Sequence, residues 1–144
     1  MEKLIELYNI ASPSGKEKRM ARYIMAALKK MGVSCRKDRT GNIYAVKGNA
    51  DTYPCVVAHI DEVHRNKTGS YGAYVVADEM VIGYDKRKRC QTGIGADDKN
   101  GIWICFKMLE RFKNMKCAFF VGEETGCVGS RHADMDFFND CRFV

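Results

Sequence analysis

Two apolar runs constrain the fold of this chain more than any other feature. Pro54–Ile60 reads PCVVAHI, and residues 116–122 read KCAFFVG. Neither alternates apolar and polar residues as a strand with one wet face would. Both suit strands buried on both faces, the pattern of a sheet covered by helices. Each run also breaks off into titratable side chains: His59-Ile60-Asp61 closes the first, and Glu123-Glu124 follows the second. The chain therefore has to bury two strands and leave imidazole and carboxylate at their carboxyl ends.

The flanking segments supply helices and lesser strands. MEKLIELYNIA reads as a short first helix. Ser14 and Glu17 have the spacing of a capping box for a second, in which Met20, Ile24, Ala27, Leu28 and Met31 recur at helical intervals before Gly32 stops it. Strands are predicted at Val33–Lys37 and Asn42–Lys47, with a turn over Arg39–Asn42 between them. YGAYVVADEMVIGY predicts a hairpin turning near Ala77-Asp78, residues 98–113 a helix, GCVGSRHA the start of another, and Cys141–Val144 a strand. Strands that alternate with helices give an α/β protein with a mixed sheet, and 144 residues suit one domain with a sizeable core.

Composition removes several function classes. No apolar run approaches the roughly 18 residues of a membrane span, and the N-terminus lacks the basic start and apolar core of a secretory signal. Seven cysteines, scattered without a CxxC pair, argue against a disulfide framework or a cysteine zinc knuckle and for a cytoplasmic protein. The net charge of +6 is concentrated at Lys16–Arg19 and Lys86–Arg89. These read as a solvated helix face and a hairpin tip. No aromatic residues interleave with DKRKR, so nucleic acid is not expected as a partner, and neither is a membrane.

The chemistry gathers at three acidic clusters. GIGADDKNG sets two carboxylates, Asp97 and Asp98, between glycines just before the helical run IWICFKMLERF. One aspartate would suffice as a helix cap; the second is free for another task. His59 and Asp61, two apart on a strand, share a face, so Asp61 can hold one imidazole nitrogen while the other binds a metal. Of Glu123 and Glu124, one can bind metal while the other takes a proton from water. One imidazole with several carboxylates suits zinc, with manganese or cobalt as alternatives. Open α/β sheets bind ligands at the carboxyl ends of their strands, where all three clusters fall. Singly, each cluster has a plainer reading as a satisfied histidine, a cap or solvated acids. A calcium loop is excluded because Lys99 and Gly101 fall where it needs oxygen ligands. His64 and His132 are read as surface residues.

Taken together and in this order, ASPSGKE, DRTGNIYAVKG, VVAHIDEV, GIGADDKNGI and FVGEETGCVGS resemble the dinuclear zinc exopeptidases and deacylases of the peptidase T, aminoacylase and bacterial carboxypeptidase group. GADDKNG and GEETGCVGS look most like the peptidase T branch. The resemblance implies a three-layer αβα architecture with a mixed, largely parallel sheet, and two zinc ions per complete site, with Co2+ or Mn2+ as alternatives. It implies that His59 ligates one zinc, Glu124 the other, and Asp97 bridges them, while Asp61 orients His59 and Glu123 is the general base. Asp98 is then the neighbour that caps the helix or supports the loop. The implied reaction is hydrolysis of a peptide bond, as an aminopeptidase on short peptides. The alternatives are deacylation of an N-acyl amino acid, or a degenerate domain that binds peptides or a partner without catalysis. The family also uses a later acidic ligand, a histidine near its C-terminus and an inserted lid or dimerisation domain. Residues 1–144 are therefore expected to be the N-terminal portion of a catalytic domain, truncated before those parts and with an exposed face that homo-oligomerisation would cover. His132 and Asp140 are weak candidates for the missing ligands.

Overall fold

The computed structural model describes residues 2–64, 70–77 and 80–144. Their elements are α1 (Glu2–Tyr8), α2 (Lys18–Lys30), β1 (Ser34–Lys37), β2 (Ile43–Lys47), β3 (Tyr53–His59), β4 (Tyr71–Val75), β5 (Val81–Asp85), β6 (Cys90–Thr92), α3 (Ala96–Arg111), β7 (Met115–Phe120), α4 (Val128–Arg131) and β8 (Cys141–Phe143), with short 3-10 turns at Glu123–Thr125 and Met135–Phe138. The main sheet has the order β1-β2-β7-β3-β8, and β4-β5-β6 form a separate three-stranded sheet. The main sheet is mixed, as its sequence implied. β1–β2 and β2–β7 pair antiparallel, whereas β7–β3 and β3–β8 pair parallel.

Alternation along the strands sorts side chains to the two faces. Ile43 and Ala45, Ala58, and Met115, Cys117 and Phe119 face a core completed by Leu7 of α1, Met20, Ile24 and Leu28 of α2, and Ile102, Cys105, Phe106 and Leu109 of α3. The opposite face carries Tyr44, Cys55 and Ala118 under Phe137 of the second 3-10 turn. The second helical layer is thus a one-turn helix and 3-10 turns among the described residues. Helix α2 ends as expected: Gly32 takes φ +67°, a conformation that costs glycine little, while the Val33 N–H reaches the Leu28 carbonyl at 3.0 Å.

Two local expectations need correction. The capping box is not formed. Glu17 is the N-cap of α2 and makes no side-chain cap bond; its carboxylate accepts from the Gly15 N–H at 2.8 Å, and the Ser14 hydroxyl donates to Asp61 at 2.7 Å. A long-range carboxylate has outcompeted a local cap. The second correction concerns β3, which is less enclosed than its composition suggests. β7 lies along it from Cys55 to His59, but β8 pairs only with Tyr53 and Pro54, so Val56 and Val57 are half-buried. The expected hairpin is present as β4–β5, with the Val76 N–H bonded to the Met80 carbonyl at 2.8 Å. Asp78 of its turn lies outside the described residues. The basic stretch 86–89 is the exposed connection from β5 to β6. No helix among the described residues is long and apolar enough to cross a membrane, and the seven cysteines carry no disulfide.

Candidate metal centre

Parallel pairing of β3 and β7 brings their carboxyl ends to the same edge of the sheet, so His59 lies opposite Phe120 and Glu123-Glu124 follow within one turn. The loop before α3 closes on the same spot. The Asp98 carboxylate accepts the His59 N–H at 3.1 Å and the Gly101 N–H at 2.9 Å. Residues 59, 61, 97, 98, 123 and 124, far apart in sequence, are thereby gathered.

His59 is the centre of this cluster. Its Nδ1 lies 3.1 Å from the Asp61 carbonyl and 3.4 Å from Asp61 Oδ1. A proton on Nδ1 leaves the Nε2 lone pair directed outward, and Nε2 stands 2.9 Å from Asp97 Oδ1 and 3.9 Å from Glu123 Oε2. Ligand atoms of His59, Glu123 and Glu124 lie within 4.8 Å of one another. Zinc bonds of about 2 Å place neighbouring ligand atoms roughly 3 Å apart, so this donor set fits a divalent cation after small side-chain adjustments. Among the described residues, this is the one such group of three or more.

Asp61 does more than orient the histidine. Its side chain is fully buried. Oδ1 accepts the Glu123 N–H at 2.9 Å, and Oδ2 accepts the Glu124 N–H at 3.2 Å and the Ser14 hydroxyl at 2.7 Å. Burial alone would raise its pKa; the hydrogen bonds from His59, Ser14 and the two amides outweigh it and hold the carboxyl at about 2. For His59, burial opposes the charged form, but hydrogen bonds to Asp61 and Asp97 and the charges of Asp98 and Asp61 push the imidazole up to about 9. Burial also raises Asp98, offset in part by the two amides it accepts. Glu124 is raised by burial and by the nearby Asp97 and Glu123 charges, against the pull of His59.

The remaining candidates fall elsewhere. His132 is exposed, with Nδ1 2.9 Å from the Val128 carbonyl, and Asp140 pairs with Lys116. His64 is half-buried rather than a surface residue, with its ring packed where a side chain on Gly93 would sit. Three neighbours of the site were not evident in the sequence. Cys127, in a left-handed conformation at φ +57°, directs its thiol to Glu123 Oε1 at 3.6 Å. Lys99 and Glu62 form a buried ion pair beneath the loop before α3. The GADDKNG motif contained Lys99, but nothing local marks a lysine as buried. A cleft of about 290 Å³ opens beside the cluster, lined by Val57, His59, Asp98, Glu123, Cys127 and Ser130 among others.

No family model matches the sequence. Over 134 residues the chain is 29% identical to a Pyrococcus abyssi protein provisionally named a LysW-lysine/LysW-ornithine hydrolase, covering 92% of this chain and 35% of that one. In structure it is similar to a tripeptidase from Staphylococcus aureus, with a TM-score of 0.74 and 19% identity over 95% of this chain and 39% of that one. It is likewise similar to the aminopeptidase PepT from Bacillus cereus, with a TM-score of 0.73 and 20% identity over 94% and 39%. The fold is thus that of the tripeptidase and PepT structures, as the sequence resemblance implied, and the chain spans little more than a third of the length of each relative.

Proposed function

We propose that the chain carries the metal-binding core of an amide hydrolase acting on short peptides, as an aminopeptidase. The convergence of one half-buried imidazole and three carboxylates, from two strand ends and the start of α3, supports this reading most. In it, His59 would hold one zinc ion and Glu124 a second, with Asp97 as a ligand to both; Co2+ or Mn2+ would suit the same donors. Such an ion, when bound, polarises the amide carbonyl and acidifies water. Glu123 is the general base: it takes a proton from the attacking water and delivers it to the leaving amine as the carbon–nitrogen bond breaks. Asp61 fixes the His59 ring and the turn that aims Glu123 and Glu124, and Asp98 fixes the loop that aims Asp97. Two ions sharing Asp97 receive about two protein ligands each from these residues, fewer than the roughly three of a catalytic zinc, so the reading requires further ligands.

A second reading keeps the site and changes the substrate to an N-acylated amino acid. The identity to the Pyrococcus abyssi hydrolase, whose name gives LysW-lysine and LysW-ornithine, favours it.

Calorimetric zinc titration with peptide-hydrolysis assays tests the proposal. Expected are zinc binding lost in His59→Ala and Asp97→Ala, and retained in Glu123→Gln with hydrolysis reduced by roughly 100-fold or more. Zinc binding unchanged in Asp97→Ala, or full hydrolysis by Glu123→Gln, removes the assignment. Peptide binding without zinc or turnover points instead to a non-catalytic binding domain.

A further inference from the structure

Beneath the site lies an ion pair that the proposed chemistry does not use. Lys99 and Glu62 are each 1% exposed, and Lys99 Nζ stands 3.1 Å from Glu62 Oε2. Lysine and glutamate are seldom fully buried, and a buried pair often stabilises no better than apolar side chains of the same volume. Its contacts show what it adds. Lys99 Nζ donates to the Ile10 carbonyl at 2.8 Å and lies 3.5 Å from that of Ile94. Glu62 Oε1 accepts the Ser12 N–H at 2.9 Å, and the Glu62 N–H donates to the Ser12 carbonyl at 3.0 Å. One ammonium and one carboxylate therefore tie together residues 10–12, residue 62 after β3, and the loop at 94. Those three segments lead directly to Ser14, Asp61 and Asp97.

The loop before α3 needs an anchor of this kind. Gly95 has φ +69°, and Asp97 and Asp98, in the first turn of α3, lie outside helical conformations, with the Lys99 N–H to Gly95 carbonyl bond at 3.2 Å spanning them. Asp98 secures one side through the His59 and Gly101 amides. On the other side, Glu62 Oε2 and Lys99 Nζ are packed against Gly95 so closely that a Cβ there would collide with the carboxylate. The Asp97 side chain, 86% exposed, has little packing of its own to fix it.

We infer that the Lys99–Glu62 pair is a positioning device that sets the Asp97 carboxylate against His59 Nε2. Neither residue touches a ligand atom; both act through the backbone they hold. This inference rests on the proposed metal site only for one of its two readouts.

The test uses the 144-residue chain and the charge-free, volume-conserving double variant Lys99→Met/Glu62→Gln. Lys99→Met alone strands a buried carboxylate and lowers the unfolding midpoint by about 10 °C. The double variant recovers most of that loss. In metal-free protein, the His59 and Gly101 amides nevertheless exchange about tenfold faster with solvent, while those of β7 keep their protection. Zinc affinity falls roughly tenfold or more. A double variant with wild-type exchange at His59 and Gly101 and wild-type zinc affinity overturns the inference, because the pair would then position nothing at the site. Should the double variant not fold, Glu62→Asp decides. It keeps both charges but shortens one arm, so faster exchange at His59 and Gly101 supports the device and unchanged exchange refutes it. A wild-type chain that binds no zinc removes the metal reading, while amide exchange still decides this one.

Discussion

The two acidic pairs of the site look alike in sequence and the fold treats them differently. In Asp97-Asp98 the second carboxylate is half-buried and committed to the His59 and Gly101 amides, which leaves the first exposed beside the imidazole. In Glu123-Glu124 no backbone donor among the described residues reaches either carboxylate, and the N–H groups of both residues go to Asp61. The Glu pair keeps both carboxylates clear of backbone duty because a third, Asp61, accepts the amides of the turn. The two structural carboxylates also differ electrostatically. Asp61 has enough donors to stay ionised down to about pH 2, whereas burial of Asp98 outweighs its donors and raises its pKa.

The largest test of that contrast is Asp61→Ala, which leaves the Glu123 and Glu124 amides and the Ser14 hydroxyl without their acceptor. Urea unfolding of the metal-free chain should show a loss of about 3–5 kcal/mol, and a loss under about 1 kcal/mol would mean the turn does not depend on Asp61. Asp98→Asn should cost about 1–3 kcal/mol, since it removes a charge that burial already disfavours and keeps one acceptor. If Asp98→Asn costs more than Asp61→Asn, the contrast is reversed. Acid titration sharpens it. A carboxyl depressed from 3.8 to about 2 stabilises the fold above pH 4, and that contribution, roughly 2 kcal/mol, is lost as pH falls from 4 to 2. Asp61→Asn should flatten this part of the stability curve relative to wild type; an unchanged curve would place the acid sensitivity elsewhere. The smallest effect belongs to Glu124→Gln, expected to change metal-free stability by about 0.5 kcal/mol or less. A larger loss would show that the exposed pair has structural duties after all.

Much of this was legible because strand ends announce themselves. Apolar runs closing in His-x-Asp and Glu-Glu placed His59, Asp61, Glu123 and Glu124 at one edge before any pairing was known, and β3–β7 pairing brought the two ends together. Asp98 accepts two backbone amides, the supporting duty that the family resemblance, rather than any local signal, implied for the second aspartate. What local sequence hid was long-range competition. Ser14 and Glu17 satisfied the capping pattern, yet the Ser14 hydroxyl serves a carboxylate 47 positions away. Lys99 sits in a polar, turn-like motif, and partners across the fold, Glu62 and the Ile10 carbonyl among them, make its burial tolerable. β3 read as enclosed because Val56 and Val57 are apolar, but composition does not say how far a neighbouring strand extends.

The sheet order has a consequence for how the molecule comes into being. β7 fills the slot between β2 and β3, although β3 ends at His59 and β7 begins at Met115. A nascent chain leaving the ribosome exposes β2 and β3 as orphan edges until residue 120 has emerged, and only then can the central register close. The slow, non-local step that closes the gap between β2 and β3 is the same step that delivers Glu123 and Glu124 to His59. The side-chain cluster at the strand ends therefore forms only when that central register closes, and not strand by strand.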